Sequence, residues 1–121
     1  MDIKPTESEL EILQVLWKKG QCSVRDVHEE LLKTKEAGYT TTLKLMQIMH
    51  DKGLVTRDAS AKTHIYTAAM SEQQVKKSAL DKFINTVFKG SAADLVMQAL
   101  GNHQASKDEI AAIKDYLKKF E

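Results

Sequence analysis

Hydroxyl, ammonium and amide side chains recur along residues 39–55, and their chemistry suits binding rather than catalysis. Thr41, Lys44 and Gln47 follow one another at three-residue spacing, which places them on one side of a helix. Thr40 stands beside them in the first turn, where unpaired backbone N–H groups attract anions. Because a phosphate backbone suits such a helix end, the stretch is predicted to be a DNA-recognition helix.

The opposite side of this predicted helix is less polar and gives it a surface to pack on a core. Its residues recur at three- and four-residue spacing: Thr42, Leu45, Met46 and Met49. Gly53 is predicted to end the helix, since only Gly adopts the left-handed conformation there without a steric penalty. Two β-prone runs follow, residues 54–57 and 64–67, and the polar loop between them predicts a hairpin.

Two more helices are predicted upstream. Thr6 with Glu9, and Ser23 with Asp26, have the spacing of capping boxes, which mark helix starts. Trp17 closes the first apolar stripe and is predicted to pack in the core rather than to contact a ligand. Three helices followed by a hairpin form the winged helix-turn-helix plan, which places the third helix in the major groove and the hairpin tip beside the neighbouring backbone.

The basic side chains of the hairpin are candidate phosphate contacts, with Lys62 at its tip and Arg57 at its base. The alternative is a solvated loop with ordinary charges, because isolated basic residues carry little information. The predicted DNA-binding residues are Thr40, Thr41, Leu43, Lys44, Gln47, Arg57 and Lys62.

Residues 71–121 are predicted to be wholly helical and too few to bury their own apolar stripes, so they need a partner surface. A homodimer is the economical solution, because it brings two recognition helices to one palindromic site. The alternative is a monomer whose last helices fold back on the winged helix. The predicted dimerisation residues are Leu80, Phe83, Ile84, Val87, Leu95, Val96, Leu100, Ile110, Ile113 and Leu117.

The sequence therefore predicts a mainly α protein. Residues 1–70 would form a winged helix-turn-helix DNA-binding domain, and residues 71–121 a C-terminal helical dimerisation region. The 121 residues and an apolar content of 42% fit a small folded protein. The net charge is only +1, but residues 39–64 carry four Lys and Arg against two Asp, a local excess of +2.

Composition also limits the function classes. The single Cys22 excludes an internal disulfide framework and fits a reduced, cytoplasmic setting, and no apolar run is long enough for a membrane span. No paired carboxylates, Gly-rich phosphate loop or nucleophile-base pair stands out, so no enzyme, catalytic residue or cofactor is predicted. His28, His50, His64 and His103 lack metal-ligand spacing, so no metal site is predicted.

The chain resembles the penicillinase-repressor family of winged-helix regulators, whose members repress β-lactamase and methicillin-resistance genes. Copper-responsive repressors are close relatives. The matching blocks run nearly from end to end, in order and at the family's spacing: residues 9–17, 39–55, 64–67, 83–90 and 95–97.

The resemblance implies a homodimeric repressor that binds a palindromic operator through the helix beginning near Thr40, and that controls its own operon and an antibiotic- or stress-response gene. Thr40 and Thr41 lie where family members place polar residues against DNA. Leu43 and Ile48 depart from the pattern, since relatives often carry Arg or another polar residue there. Leu43 can touch a thymine methyl group but cannot bind guanine as Arg does.

The resemblance also implies regulation by a membrane sensor with a metalloprotease domain, which triggers cleavage of the antibiotic-responsive members. The corresponding stretch carries Gln98 and Ala99 in place of the familiar Asn-Phe bond. Incubation with a protease encoded nearby tests this cleavage, and an intact chain would contradict it. The cysteine-rich metal site of the copper-responsive relatives has no counterpart, since no Cys follows Cys22.

One other function class fits the same fold. A winged helix can serve as a protein-interaction module without sequence-specific DNA binding, which the near-neutral charge permits. An exposed apolar face on the third helix would favour this alternative, and Leu43 with Ile48 points in that direction. Weak DNA binding without salt dependence would discriminate, because phosphate binding releases counterions.

Overall fold

The computed structural model describes residues 4–102 and 104–121, so the predicted non-ligand His103 lies outside the described residues. The elements, in chain order, are α1 (Glu7–Lys19), α2 (Val24–Leu31), α3 (Tyr39–Lys52), β1 (Val55–Asp58), β2 (Ile65–Ala68), α4 (Glu72–Val87), α5 (Ala92–Asn102), α6 (Lys107–Leu117) and a 3₁₀ turn (Lys118–Phe120). The prediction of a mainly α winged helix followed by C-terminal helices is confirmed. Each strand begins one residue later than predicted.

Side chains cap the helices where the sequence predicts it. In α1 the Glu9 N–H donates to Thr6 Oγ1 at 3.2 Å, and the Thr6 N–H donates to Glu9 Oε1 at 2.8 Å. Ser23 and Asp26 exchange the same pair of bonds at the start of α2. Both boxes satisfy backbone N–H groups that the helix itself leaves unpaired, so they fix where each helix begins.

Contacts divide the chain into two units, the first ending at Ala79 and the second spanning Leu80–Glu121. The predicted boundary after residue 70 stays a prediction. The first unit has one apolar core, built by the facing sides of α1, α2 and α3 and closed by the hairpin: Ile12, Leu13, Val15, Leu16, Cys22, Val24, Val27, Leu31, Met46, Met49, Leu54, Val55 and Tyr66. Trp17 packs partly buried against this core, and its Nε1–H donates to the Met70 carbonyl at 2.9 Å.

The hairpin is joined to the helical core through an isolated β-bridge. β1 and β2 pair antiparallel, with Arg57 opposite Tyr66. Cys22, between α1 and α2, exchanges both backbone hydrogen bonds with Tyr66, at 3.0 and 2.7 Å. Since Tyr66 and Cys22 are both buried, this bridge anchors the middle of β2 to the helical core.

Only Gly53 and Leu54 separate α3 from β1. Gly53 has φ +83°, in the left-handed region, as predicted for the helix stop. Its N–H donates to the His50 carbonyl, and the Leu54 N–H donates to the Met49 carbonyl at 2.9 Å. These two bonds form a Schellman motif, and Leu54 and Met49 are fully buried beside it. Leu54 therefore ends the turn rather than beginning the strand, which is why β1 starts at Val55.

The second unit consists of short helices whose apolar residues find little cover. Phe83 contacts Phe88 with ring centroids 5.7 Å apart, and Tyr116 contacts Phe120 at 5.4 Å. α5 and α6 lie entirely within the described residues, and neither contains a buried residue. Phe83 is 49% exposed, Val96 49% and Leu117 56%. Large apolar side chains are therefore exposed on this unit in the single chain.

Candidate nucleic-acid interface

A groove of about 520 Å³ lies between the start of α2, the outer side of α3 and the hairpin. Arg25 lines it from α2, Gln47 and Leu43 from α3, and Arg57 and Lys62 from the hairpin, with hydroxyl and ring groups between them: Ser23, Tyr39, Thr63, His64 and Tyr66. Three basic side chains thus converge on one open groove, one from α2 and two from the hairpin. Such a groove suits a chain of phosphates.

Most other basic side chains of the first unit are occupied by carboxylates. Glu30 accepts from Lys33 at 2.8 Å and lies 3.2 Å from Lys19 and 3.5 Å from Lys18. The bonds from Lys33 and Lys19 lower the pKa of Glu30 to about 2. Lys35 pairs with Glu11 at 3.2 Å. The protein thus neutralises these lysines itself.

The cations near the groove are different. Within residues 4–102 and 104–121, no carboxylate oxygen lies within 4.0 Å of Arg25, Lys44, Arg57 or Lys62. Arg25, Lys44, Arg57 and Lys62 are all exposed. An exposed cation without an acidic partner keeps its full attraction for an external anion.

The N-terminus of α3 is the one helix start in the first three helices that has no side-chain cap. Gly38 occupies the cap position and makes no side-chain hydrogen bond, whereas Thr6 and Ser23 cap α1 and α2. Thr40 and Thr41 are exposed in this first turn. The first backbone N–H groups of α3 therefore face solvent and carry the positive end of the helix dipole, as predicted for a phosphate contact.

Contacts between His28 of α2 and two residues of α3 fix the position of this helix start. The buried Thr42 hydroxyl donates to the Gly38 carbonyl at 3.3 Å, and His28 Nδ1 lies 3.4 Å from the Thr42 hydroxyl oxygen. The Tyr39 ring packs edge-on against the His28 ring at 5.5 Å. His28 is half-buried. These contacts hold the first turn of α3 against α2.

The other end of α3 is tied to α1 by an ion pair. Lys52 Nζ donates to both oxygens of Glu9 at 3.0 Å, and the Glu9 side chain is almost completely buried. Burial by itself raises the pKa of Glu9, but hydrogen bonds from the Thr6 N–H and from Lys52 outweigh it and lower this pKa below 4.5. Lys52 thus contributes to structure. Its charge, included in the predicted local excess, is not available to DNA.

The structure places the predicted DNA-binding residues in two sets. Leu43, Gln47, Arg57 and Lys62 meet in the groove. Exposed positions of α3 beside it hold Thr40, Thr41 and Lys44. Leu43 is half-buried and packs partly on the core, with the rest of its side chain in the groove, and Ile48 is 38% exposed.

Arg25 is the basic residue of the groove that the sequence analysis did not predict. It follows the Ser23 cap by two positions, in the exposed first turn of α2. The capping box predicts where α2 begins, but the proximity of Arg25 to the hairpin follows from the Cys22–Tyr66 bridge. That pairing joins segments 44 residues apart, so a local pattern does not reveal it.

The remaining predicted sites lie in the C-terminal helices. The predicted dimerisation residues are exposed or half-buried, and the predicted cleavage residues Gln98 and Ala99 are exposed on α5; these roles stay predictions. In the part of the chain that the structure describes, no three His, Cys, Asp or Glu side chains could hold a metal ion together. No described helix is both long and apolar enough to cross a membrane.

The whole sequence is similar to known repressors. The methicillin resistance regulatory protein MecI of Staphylococcus aureus (strain N315) is 29% identical over 98% of this chain and 99% of that protein. The penicillinase repressor of Staphylococcus aureus is 24% identical over 91% of this chain and 87% of that protein. The solution structure of the DNA binding domain of the repressor BlaI is 26% identical, with a TM-score of 0.52 over 60% of this chain and 90% of that one. Since the sequence model of the penicillinase repressor matches residues 5–119, the chain belongs to the penicillinase repressor family.

Proposed function

We propose that this protein is a dimeric transcriptional repressor that binds a palindromic operator in double-stranded DNA. The observation that carries the proposal is the groove beside α3, where Arg25, Arg57 and Lys62 converge without acidic partners among the described residues. Membership of a repressor family, with relatives named as a regulator of methicillin resistance and a penicillinase repressor, supports a role in repression and confirms the prediction that the chain is not an enzyme.

In this proposal the duplex is held along α3. A strand whose bases face α3 in the major groove carries its phosphates along the side of that helix. The groove lies at that side, so its cations contact successive phosphates of one strand. The uncapped start of α3, with the exposed Thr40 and Thr41, meets another phosphate through backbone N–H groups. These contacts set the orientation of α3 in the groove.

The C-terminal helices supply the dimer in this proposal. Their large apolar side chains, among them Phe83, Val96 and Leu117, are about half exposed in a single chain. A second copy of the same surface covers them by two-fold symmetry, which matches the two halves of a palindromic site. Since the relatives are named for methicillin resistance and penicillinase, the proposed targets are the protein's own operon and an antibiotic- or stress-response gene.

The test is a titration of the protein against DNA from upstream of its own gene, beside a scrambled duplex, at two salt concentrations. We expect tight, salt-sensitive binding to the upstream DNA at two protomers per site. Equal weak binding to both duplexes, with no salt dependence, would contradict the proposal and favour the protein-interaction alternative.

Substitution of Lys62 by Ala is expected to weaken binding to all duplexes by a similar factor. Removal of one phosphate contact should reduce the slope of log affinity against log salt by about 0.9 per protomer, because one counterion fewer is released. Affinity measured at four salt concentrations gives this slope. Arg25→Ala and Arg57→Ala should act in the same way.

The matched control is Lys33→Ala. It removes the same charge, but from an ammonium already bonded to Glu30 at 2.8 Å. We expect its salt slope to equal that of the unmodified protein. Equal slopes for the Lys62 and Lys33 variants would rule out a phosphate contact by Lys62.

A further inference from the structure

We infer that Gln47 and Leu43 select A·T base pairs, with the Gln47 amide bound to an adenine and Leu43 packed against a thymine methyl group. The inference rests on the proposed function and names the bases that the same surface recognises. It concerns specificity, which the phosphate contacts of the groove do not supply.

The two side chains occupy one line on the DNA-facing side of α3. They stand four residues apart, one helical turn, and both line the groove between α3 and the hairpin. The axial rise between them is about 6 Å. Successive bases of one DNA strand are about 3.4 Å apart along the duplex, so the two side chains reach base pairs no more than about two steps apart.

The Gln47 amide is free to bind a base. Gln47 is exposed, and its side chain makes no hydrogen bond to any residue that the structure describes. A carboxamide offers one acceptor and one donor side by side, which match the N6 amino group and N7 of adenine in the major groove. Guanine presents two acceptors there and leaves the amide oxygen unpaired.

Leu43 is held in place rather than free. It is half-buried and packs partly on the core, while the rest of its side chain lines the groove. A fixed apolar surface in the major groove favours the thymine methyl group and leaves the polar edges of a G·C pair unsatisfied. Residues 39–52 contain no Arg, the side chain that most commonly binds guanine.

The experiment is selection from a random pool of double-stranded DNA by the full-length protein, by Gln47→Ala and by Gln14→Ala. Gln14 is an exposed amide on α1 and serves as the control. We expect the unmodified protein and Gln14→Ala to enrich the same site. Gln47→Ala should enrich a site in which one A·T pair of that site has become degenerate. Another A·T pair should lie within two steps of it.

Modified bases then test each contact with the unmodified protein, so a change in affinity cannot come from misfolding of a variant. Replacing the selected adenine with 7-deazaadenine should lower the affinity roughly tenfold, within the range expected for a bidentate base contact, and should not affect Gln47→Ala. Replacing the neighbouring thymine with uracil, which lacks only the methyl group, should weaken binding severalfold.

The outcomes separate the inference from the proposed function. An enriched site that Gln47→Ala selects unchanged, or a G·C pair at the position it alters, would overturn the inference and leave the repressor proposal standing. Full affinity for the 7-deazaadenine and uracil duplexes would do the same. No enriched site for the unmodified protein would overturn both.

Discussion

Replacing Phe83 with Asp is expected to lower the affinity for a full operator roughly 10²–10⁴-fold and to leave binding to a single half-site unchanged. Phe83 is 49% exposed in the single chain, so a charge there costs the monomer little. In the proposed dimer the same position is buried against the partner, where an unpaired carboxylate is expensive. A monomer binds each half-site separately, so the second half-site no longer increases the affinity for the full operator.

Sedimentation measures the oligomeric state, and titration of a one-half and a two-half site measures the two affinities. Asn85→Asp is the control, because it adds the same charge to α4 at an exposed position opposite the apolar stripe by helical spacing. We expect that variant to remain a dimer. A Phe83→Asp protein that sediments as a dimer would place the interface elsewhere.

Substitution of Lys52 by Met is expected to lower the free energy of unfolding by about 2 kcal/mol. The change leaves the buried Glu9 carboxylate without its cation, and removal of one partner from a fully buried pair costs roughly 3–5 kcal/mol. The Lys52 side chain is 39% exposed, so water recovers part of that cost. Urea denaturation at pH 7 measures the difference.

The cost should depend on pH in a defined direction. The pKa of Glu9 is lowered in the folded protein, so the pair contributes its full stability above about pH 4.5 and loses it as the pH falls through the lowered pKa. The difference between the unmodified protein and Lys52→Met should therefore shrink below pH 4.5. Lys35→Met, which breaks the exposed pair with Glu11, should cost less than about 1 kcal/mol. Equal losses for the two variants would contradict a structural role for Lys52.

Local chemistry made the helix boundaries predictable. The capping boxes at Thr6 and Ser23 each depend on two residues three positions apart, so the sequence alone contains both partners. Gly53 ends α3 for an equally local reason, its positive φ. The first strand shifted by one residue because the Schellman motif uses Leu54, a backbone hydrogen bond at the helix end that β-propensity does not encode. The second strand also begins one residue later than predicted, with Ile65 paired to Asp58 and Ala68 paired to Val55.

The electrostatics of the interface were predictable only in part. Arg57 and Lys62 lie on the hairpin, and their place beside α3 follows from the fold type. Lys52 looks equally basic in the sequence, but its partner Glu9 stands 43 residues away. Arg25 reaches the groove through a strand pairing between distant segments. Charges have no periodicity, so which of them are already neutralised depends on tertiary contacts.

The turn at Gly53 has a consequence for the entropy of association. Because α3 passes into β1 without a flexible link, and Cys22 pins β2, the helix and the hairpin have little freedom to move apart. Many binding surfaces lose affinity by having to order a loop when the partner arrives, at about 0.5–1.5 kcal/mol for each side chain immobilised. Here folding has already ordered that backbone, so in the proposed complex more of the attraction between cations and phosphates would remain as net affinity.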